Sequence, residues 1–444
     1  MLVKPVLLKD LSAAEYEKIV KRSMLKMDAV SADVASIVED VRNNGDTAVL
    51  KYAREFDNVE LSADRLEVTR DEIKAAYDRM LGDGLGDTIE SLRNNYNRIR
   101  SFHQQQLEQQ FKPFEVSSGD GRLGRVYRPT GSAGVYAPGG TAPYPSTVLM
   151  AVTPAKIAGV PEVVVTTRPD PDGSINGWLL IACDIAGADR IFKTAGAQAI
   201  AALAFGTSTV PKVDKIVGPG NIYVTAAKIY VQAKGYCDID FPAGPSEIVI
   251  IADDTAIPQN IVWDMFSQAE HDENACAVLV TPSKKLAEQV AQLLDDELKE
   301  SRDRQDIKEK ALRDYGRIII TDNIKEAIAF SNDFAPEHLA IMTADNDMVM
   351  ENTVNAGTVC LGNTSPVAAS DYASGLNHIL PTGGWVRTCS GLSVGTFLKG
   401  TTFQELTPQG LKNLQADITN VAKAEGLYDG HGRSIEKRFQ PDNK

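Results

Sequence analysis

Histidine is scarce in this chain, and four of its five copies stand in short strings dense with chemically useful side chains. They are His271 in SQAEHDE, His338 in FAPEHLA, His378 in DYASGLNHILP and His431 in YDGHGRS. His103, in the polar run SFHQQQLEQQ, reads as an ordinary surface residue. In three of the four strings a carboxylate lies within a residue or two of the imidazole or on the same short loop. Imidazole offers a neutral metal ligand or a base near neutral pH, and a carboxylate completes a hard cation site or activates water. The pattern points to an enzyme that uses a metal.

Spacing sharpens the candidates. Gln268 and His271 stand three apart in a helical stretch, which puts both on one face as a possible ligand pair, unless His271 only caps the helix. Glu337-His338 follows Pro336 at a strand entrance, a loop mouth of the kind where α/β active sites gather. Adjacent side chains diverge there, so two separate tasks are expected of them. SPVAASDYASGLNHILPTGG has no apolar period and reads as a site-building loop carrying Asp371 and His378. The turns YAPGG (136–140) and GPGN (218–221) each leave a β run and lead toward a helix, so their amides could meet phosphates; for GPGN a plain tight turn competes. A GxGxxG string at 119–124 lies between two extended runs rather than between a strand and a helix, so a hairpin turn is expected there.

These residues must be positioned by an α/β framework. The helical period comes first: Val34, Ile37, Val38 and Val41 stop at Asn44-Gly45, then Val49, Leu50, Ala53 and Phe56, then Ile73, Ala76, Tyr77 and Met80. From about Arg125 short β runs (GRVYRP, GVYAP, EVVVTT, RIFKT, DKIVGP) alternate with helical stretches. A second series follows with SEIVIIAD, ACAVLVTP, a charged helix over 284–303, RIIITD, HLAIMT and GTVCLG. Such alternation predicts parallel sheets covered on both faces. From about Gly384 the pattern turns polar and helical, as in a C-terminal extension.

Composition bounds the function. At 444 residues two or three domains are expected, and 43% hydrophobic with 24% charged residues is an ordinary globular balance. A formal charge of −14 argues against nucleic acid and anionic membrane surfaces as partners. The N-terminal residues have no signal-peptide layout, and no window is long and apolar enough to span a bilayer. Five scattered cysteines without a CxxC pair argue against disulfides and thiolate zinc, and for a reducing cytoplasmic location.

Together the strings resemble the histidinol dehydrogenase family from about Val34 to Arg438. The resemblance rests on VYAPGGTAPYPSTVLMAVTPAKIAGV, AGAQAIAALAFGT, VDKIVGPGNIYV, FPAGPSEIVIIAD, SQAEHDENA, FAPEHLAI and SPVAASDYASGLNHILPTGG. It implies one Zn2+ per subunit on Gln268, His271, Asp371 and His431, with Glu337 and His338 as the acid–base pair. It implies NAD contacts from Tyr136, Gln198 and Asn221. Substrate contacts would come from Ser246, His338, Asp371, His378, Glu425 and the metal ligands Gln268, His271 and His431.

The implied α/β fold is two Rossmann-like parallel-sheet domains, the second inserted into the first, with a helical N-terminal segment and a C-terminal dimerisation tail. The expected boundaries are residues 1–28 for the N-terminal segment, then 29–130 with 241–384 for the first domain, which carries the zinc and catalytic loops. Residues 131–240 form the inserted domain with the NAD contacts. Residues 385–444 reach the partner of a homodimer, where Glu425 and His431 complete the neighbour's site. GPSE (244–247) and AEHD (269–272) favour this family over the sibling sulfopropanediol dehydrogenases, for which GPTD and an AEHG-type string are expected. From Glu425 to His431 the chain reads EGLYDGH, one residue longer than the family pattern implies.

The implied activity is a zinc-dependent, NAD-linked, four-electron oxidation of L-histidinol to L-histidine through bound L-histidinaldehyde, the last step of histidine biosynthesis. The imidazole and amine of histidinol could both coordinate zinc as nitrogen donors. His338 would take the hydroxyl proton, and Glu337 would act on the water that hydrates the aldehyde. No cysteine has a helix-N-terminal or His-paired setting, so a hydrated-aldehyde route is expected over a thiolate one. Competing readings are a sibling dehydrogenase of another small amino- or sulfo-alcohol, a zinc hydrolase and a catalytically idle zinc-binding assembly protein. The two α/β series and the glycine turns weigh against the hydrolase, and the intact Glu337-His338 pair against the idle protein.

Overall fold

The computed structural model describes residues 1–22, 29–139 and 143–439. Its strands, in chain order, begin with β1 (Pro5–Leu7), β2 (Phe114–Ser118), β3 (Gly121–Pro129) and β4 (Ser132–Ala137). They continue with β5 (Glu162–Thr167), β6 (Arg190–Lys193), β7 (Lys215–Val217), β8 (Asp238–Ile239) and β9 (Glu247–Ala252). The last are β10 (Cys276–Thr281), β11 (Arg317–Ile320), β12 (His338–Met342), β13 (Thr358–Leu361) and β14 (Leu398–Leu406). Two compact units result, Met1–Gln105 with Thr130–Phe397, and Gln106–Pro129 with Leu398–Lys444.

The first unit holds two parallel sheets. One has the order β1-β11-β10-β9-β12-β13 and the other β6-β5-β4-β7-β8. Counted along the chain, β9–β13 and β4–β8 share one order, 3-2-1-4-5, that of a Rossmann half. β4–β8 lie in the chain between β1 and β9, so one sheet is inserted into the other. The strands are parallel because each reads as a continuous apolar run buried on both faces: every residue of β9 and of β10 is buried. Ile248 and Ile250 face a core shared with the helices Pro258–Ala269 and Lys284–Glu300. Val249 and Ile251 face the opposite core, with Phe330 and Phe334 of the helix Ile324–Phe334.

The N-terminal helices follow their apolar period. Ser31–Asn44 buries Val34, Ile37, Val38 and Val41 and ends at Gly45, whose φ of +52° few side-chain-bearing residues adopt. Asp46–Asp57 buries Val49 and Ala53, but Phe56 is exposed and stacks on Tyr52 at 5.4 Å between ring centroids. Although the sequence groups residues 29–130 with the first domain, these helices share their core with Ile200, Leu203 and Ile216 of the inserted sheet's layer. The N-terminal segment, expected to be helical, opens with β1, which extends the first sheet beside β11. The charged helix expected over 284–303 stops at Glu300, and a separate helix, Gln305–Tyr315, follows it.

His103 is fully buried, contrary to the surface reading. It lies on the inner stripe of the helix Gly86–Gln110, where Asn95, Ile99 and His103 recur every four residues, and its Nε2 stands 3.3 Å from the Asn377 side-chain nitrogen. The polar string around it conceals that stripe.

The second unit is built on an antiparallel sheet, β14-β3-β2. β2 and β3 are joined at Gly119-Asp120, so the GxGxxG string is a hairpin turn. GRVYRP therefore belongs to this antiparallel sheet and not to the parallel series. β14 is a strand where the sequence reads a helical extension; with few apolar side chains, it is mostly exposed. The helix Pro408–Ala424 begins at Thr407, whose hydroxyl accepts from Gly410 N at 2.9 Å. Tyr428–Gly432 then form a turn of π-helix before the short helix Arg433–Arg438. Among the described residues no helix is long and apolar enough to cross a membrane.

Candidate functional site

His338 opens β12 and Glu337 ends the loop that precedes it. Both are buried. The pair thus stands at the amino end of the first sheet, not at a strand-to-helix mouth, because it follows the helix Ile324–Phe334 and enters a strand. Nor do the side chains diverge: Glu337 Oε2 lies 3.5 Å from His338 Nδ1. Glu337 is not yet in the strand, so its carboxylate can turn back, and the backbone N–H of Glu247 donates to the same oxygen at 2.8 Å.

On the other side of the ring, Asp371 Oδ1 stands 3.7 Å from His338 Nε2. Neither ring nitrogen has a hydrogen-bond partner, and neither does Asp371 Oδ1. Asp371 is carried by a short helix, Val367–Tyr372, within the stretch that reads as loop in the sequence. With six residues, that helix is too short to show an apolar period. The rest of the stretch brings in His378, whose Nε2 is 2.9 Å from Thr147 Oγ1 on the helix Pro145–Ala158.

Gln268 is buried in the last turn of Pro258–Ala269. His271 is not on that helix; it lies in the turn just after it, its N–H donating to Gln268 O at 3.2 Å. Arg304 holds the turn by donating to His271 O at 3.2 Å. Ser246 immediately precedes β9, and its carbonyl accepts from Cys276 N at 2.9 Å.

The electrostatics tie five of these groups together. Burial opposes ionisation of Asp371, but the charges of His338, His378 and His271 outweigh it and hold the carboxyl below its usual range. Burial also opposes charge on His338, yet the Glu337 and Asp371 carboxylates prevail and raise its pKa well above the usual imidazole value. Glu337 is pushed up by burial despite His338. His271 and His378 are both lowered, mainly by burial, which for His271 favours the neutral form that a metal ligand needs.

The second cluster sits at the carboxyl ends of β4 and β7, where strand order reverses and α/β sheets bind ligands. The Tyr136 hydroxyl accepts from Gly196 N at 3.3 Å, and Gln198, buried in the first turn of Gly196–Phe205, packs against the same glycine. A Cβ on Gly218 would fall 2.3 Å from the Tyr136 carbonyl oxygen, so the GPGN backbone lies directly on Tyr136. Asn221 caps the helix Ile222–Ala233, its side-chain oxygen accepting from Tyr223 N and Val224 N at 3.0 and 3.2 Å. GPGN thus leads into that helix through the Asn221 cap. Of the YAPGG turn, Gly140 lies outside the described residues.

Glu425 and His431 are exposed and belong to the second unit, so the cluster in the first unit is assembled from the other residues. Among the described residues no three His, Cys, Asp or Glu side chains come together in a way that could hold a metal. The donors Gln268, His271 and Asp371 nevertheless suit one: an amide carbonyl, an imidazole and a carboxylate, with Asp371 Oδ1 buried and without a partner.

Sequence reasoning missed four charged groups around these clusters: Arg22, Lys228, Glu247 and Asp264. The last three were detectable as charges set within apolar strings, AAKIYV, SEIVII and VWDMF.

The family model described as histidinol dehydrogenase matches residues 20–439. The histidinol dehydrogenase of Methanothermobacter thermautotrophicus is 46% identical over 95% of this chain and 96% of its own length. That of Haloarcula marismortui is 45% identical over 93% and 94% respectively. The crystal structure of histidinol dehydrogenase from Elizabethkingia anophelis superposes with a TM-score of 0.91 at 36% identity, covering 98% of both chains.

Asp264 yields a test of the site's electrostatics. It is buried one turn before Gln268, its Oδ2 has no partner, and burial pushes its pKa up to about 6 from 3.8. A carboxyl raised on folding binds its proton more tightly in the native state, so stability falls as pH rises from about 4 through about 6 and is level above. Asp264→Asn should remove that loss and gain roughly 3 kcal/mol on the wild type between pH 4 and pH 8, each tenfold change in proton affinity being worth about 1.4 kcal/mol. Urea unfolding at both pH values measures it; a difference independent of pH refutes the assignment.

Proposed function

From the premise that this chain belongs to the histidinol dehydrogenase family, we propose that it oxidises L-histidinol to L-histidine in two successive NAD-linked steps at one zinc-containing site. The observation that carries the reading is the buried Glu337–His338–Asp371 row, with gaps of 3.5 and 3.7 Å, at the amino end of the first sheet. The carboxyl ends of β4 and β7 supply the second half, with Tyr136, Gln198 and Asn221 proposed to contact NAD. When bound, NAD is the two-electron acceptor and zinc an electrostatic anchor for neutral nitrogen donors of the substrate.

The chain's own groups divide the remaining work. Gln268, His271 and Asp371 would hold the metal, with His431 of a partner subunit as a further ligand. Ser246, His378 and Glu425 would line the substrate. The carboxylates of Glu337 and Asp371 flank His338 and raise its proton affinity, which suits the imidazole to accept the hydroxyl proton. Glu337, whose proton affinity is raised by burial, is suited to take a proton from water during hydration of the aldehyde. Burial of both groups excludes bulk water, so the aldehyde can be retained between steps. Cys183, Cys237 and Cys276 have thiols raised by burial, which fits a route without a thiolate station.

Purified protein with L-histidinol and NAD should form two NADH per histidine, and prior chelation should abolish the activity until zinc is restored. One NADH with accumulating aldehyde would overturn the two-step assignment. Activity indifferent to chelation would remove the metal from it.

Single substitutions should separate the proton tasks. Glu337→Gln should chiefly slow oxidation of added histidinaldehyde, by roughly 10²–10⁴-fold, the usual range for losing a general base. His338→Asn should slow the alcohol step as well. Equal losses confined to the alcohol step in both variants would contradict this division.

The tail has its own test. His431→Ala should bind zinc more weakly while remaining folded, and mixing it with Gln268→Ala should restore activity in heterodimers if the ligand crosses between subunits. Verified heterodimers without recovery would return the tail to its own subunit.

A further inference from the structure

The GPSE string ends in a glutamate that the proposed chemistry does not use. Glu247 opens β9 with its carboxylate fully buried, paired to the equally buried guanidinium of Arg22 through both nitrogens of the fork. Arg22 also donates to Phe334 O at 2.8 Å and Ala335 O at 3.4 Å, and lies over the Phe334 ring at 3.5 Å. Those residues are the last before Pro336, Glu337 and His338. Glu247 Oε1 additionally accepts from Gly383 N at 3.0 Å, in the loop that follows His378. Its own backbone N–H is the donor to Glu337 Oε2. Arg22 carries these contacts at a φ of +27°, a conformation that an arginine keeps only where its surroundings over-determine it.

We propose that Arg22 and Glu247 are positioning residues for the reaction: their ion pair fixes the Glu337 carboxylate against His338 and locks the His378 loop to the same point. The inference rests on the roles given above to Glu337 and His338. The physical basis is geometric. A bidentate guanidinium–carboxylate pair has one planar arrangement, whereas a lysine in the same place is a point charge that cannot reach two carbonyls and two carboxylate oxygens at once. With the clamp intact, the Glu247 amide has a fixed direction, and the Glu337 oxygen it binds is held with it. When the clamp is loosened, the loop and the start of β9 move independently and the pair spends less time aligned.

The test is Arg22→Lys, which keeps the charge and removes the fork, assayed in full-length protein with zinc and NAD. The expected result is a loss of about 10- to 100-fold in kcat for both histidinol and added histidinaldehyde. KM for NAD should stay within about twofold, since neither residue belongs to the Tyr136, Gln198 and Asn221 cluster. Glu247→Gln, which keeps the acceptor for Gly383 N but loses the ion pair, should behave likewise. Zinc content and the fraction folded, from urea curves, normalise each rate. Folded variants with wild-type kcat overturn the proposal, as does a rise in KM with kcat unchanged. Variants that cannot be obtained folded also overturn it, because the pair is then structural. Wild-type protein inactive on histidinol would instead count against the function proposed above.

Discussion

Four charges taken out of water set the terms for the rest of this molecule. Arg22 with Glu247, and Lys228 with Asp240, are ion pairs in which every side chain is at most 2% exposed. Desolvation of each such ion costs several kcal/mol, and attraction within the pair offsets this only if the remaining donors and acceptors are also satisfied. The chain meets that requirement with backbone from the loops that matter. Lys228 donates to Gly218 O at 2.9 Å while Asp240 accepts from Gly218 N at 2.8 Å, so the first glycine of GPGN is gripped at both its polar atoms. Arg22 and Glu247 grip the approach to Glu337 in the same manner. Each sheet of the first unit has a buried charge pair at the end where its candidate residues gather.

Those ends are opposite in sense. The inserted sheet presents the carboxyl ends of β4 and β7, as open α/β sheets commonly do, while the first sheet presents the amino ends of β9 and β12. The contact between Thr147 and His378, and the bond from Thr225 Oγ1 to Ala243 O at 2.8 Å, join the two edges within one unit. Two sheets of identical order therefore make unlike contributions. Strand-end turns that carry Tyr136, Gln198 and Asn221 come from one, and buried ionisable side chains from the other.

Much of this could be read from residue types alone, where a period is long enough to be counted. The helices Ser31–Asn44 and Asp46–Asp57 and the runs that became β4–β7 and β9–β13 follow directly from apolar spacing, and the placing of Gly119-Asp120 in a hairpin follows from its extended flanks. The resemblance named His271, His338 and His378, whose rings act on the Asp371 carboxyl. What escaped has a common cause: it depends on contacts distant in sequence. His103 is buried because Asn377, 274 residues away, comes to meet it. Glu337 and His338 approach each other because Glu247 fixes one of them. β14 needed β3 as its partner to be recognised as a strand, since its own residues are mostly exposed. The strings AAKIYV and SEIVII held their charges in plain view, but the partners that make burial tolerable, Asp240 and Arg22, lie elsewhere in the chain.

The π-turn at Tyr428–Gly432 bears on how the end of the chain tolerates change. An α-helix advances about 100° per residue, so one extra residue laid down in regular helix rotates all that follows by that angle. A π-turn takes in a residue locally and leaves the helical phase on either side nearly as it was. EGLYDGH is one residue longer than the resemblance implies, and the wide turn occurs within that string. Gly426, at a φ of +73°, ends Pro408–Ala424 before the wide turn begins, so added length between Glu425 and His431 need not re-face that helix. The histidine rides on the wide turn itself, so its aim can be retuned by insertion while that helix keeps its packing.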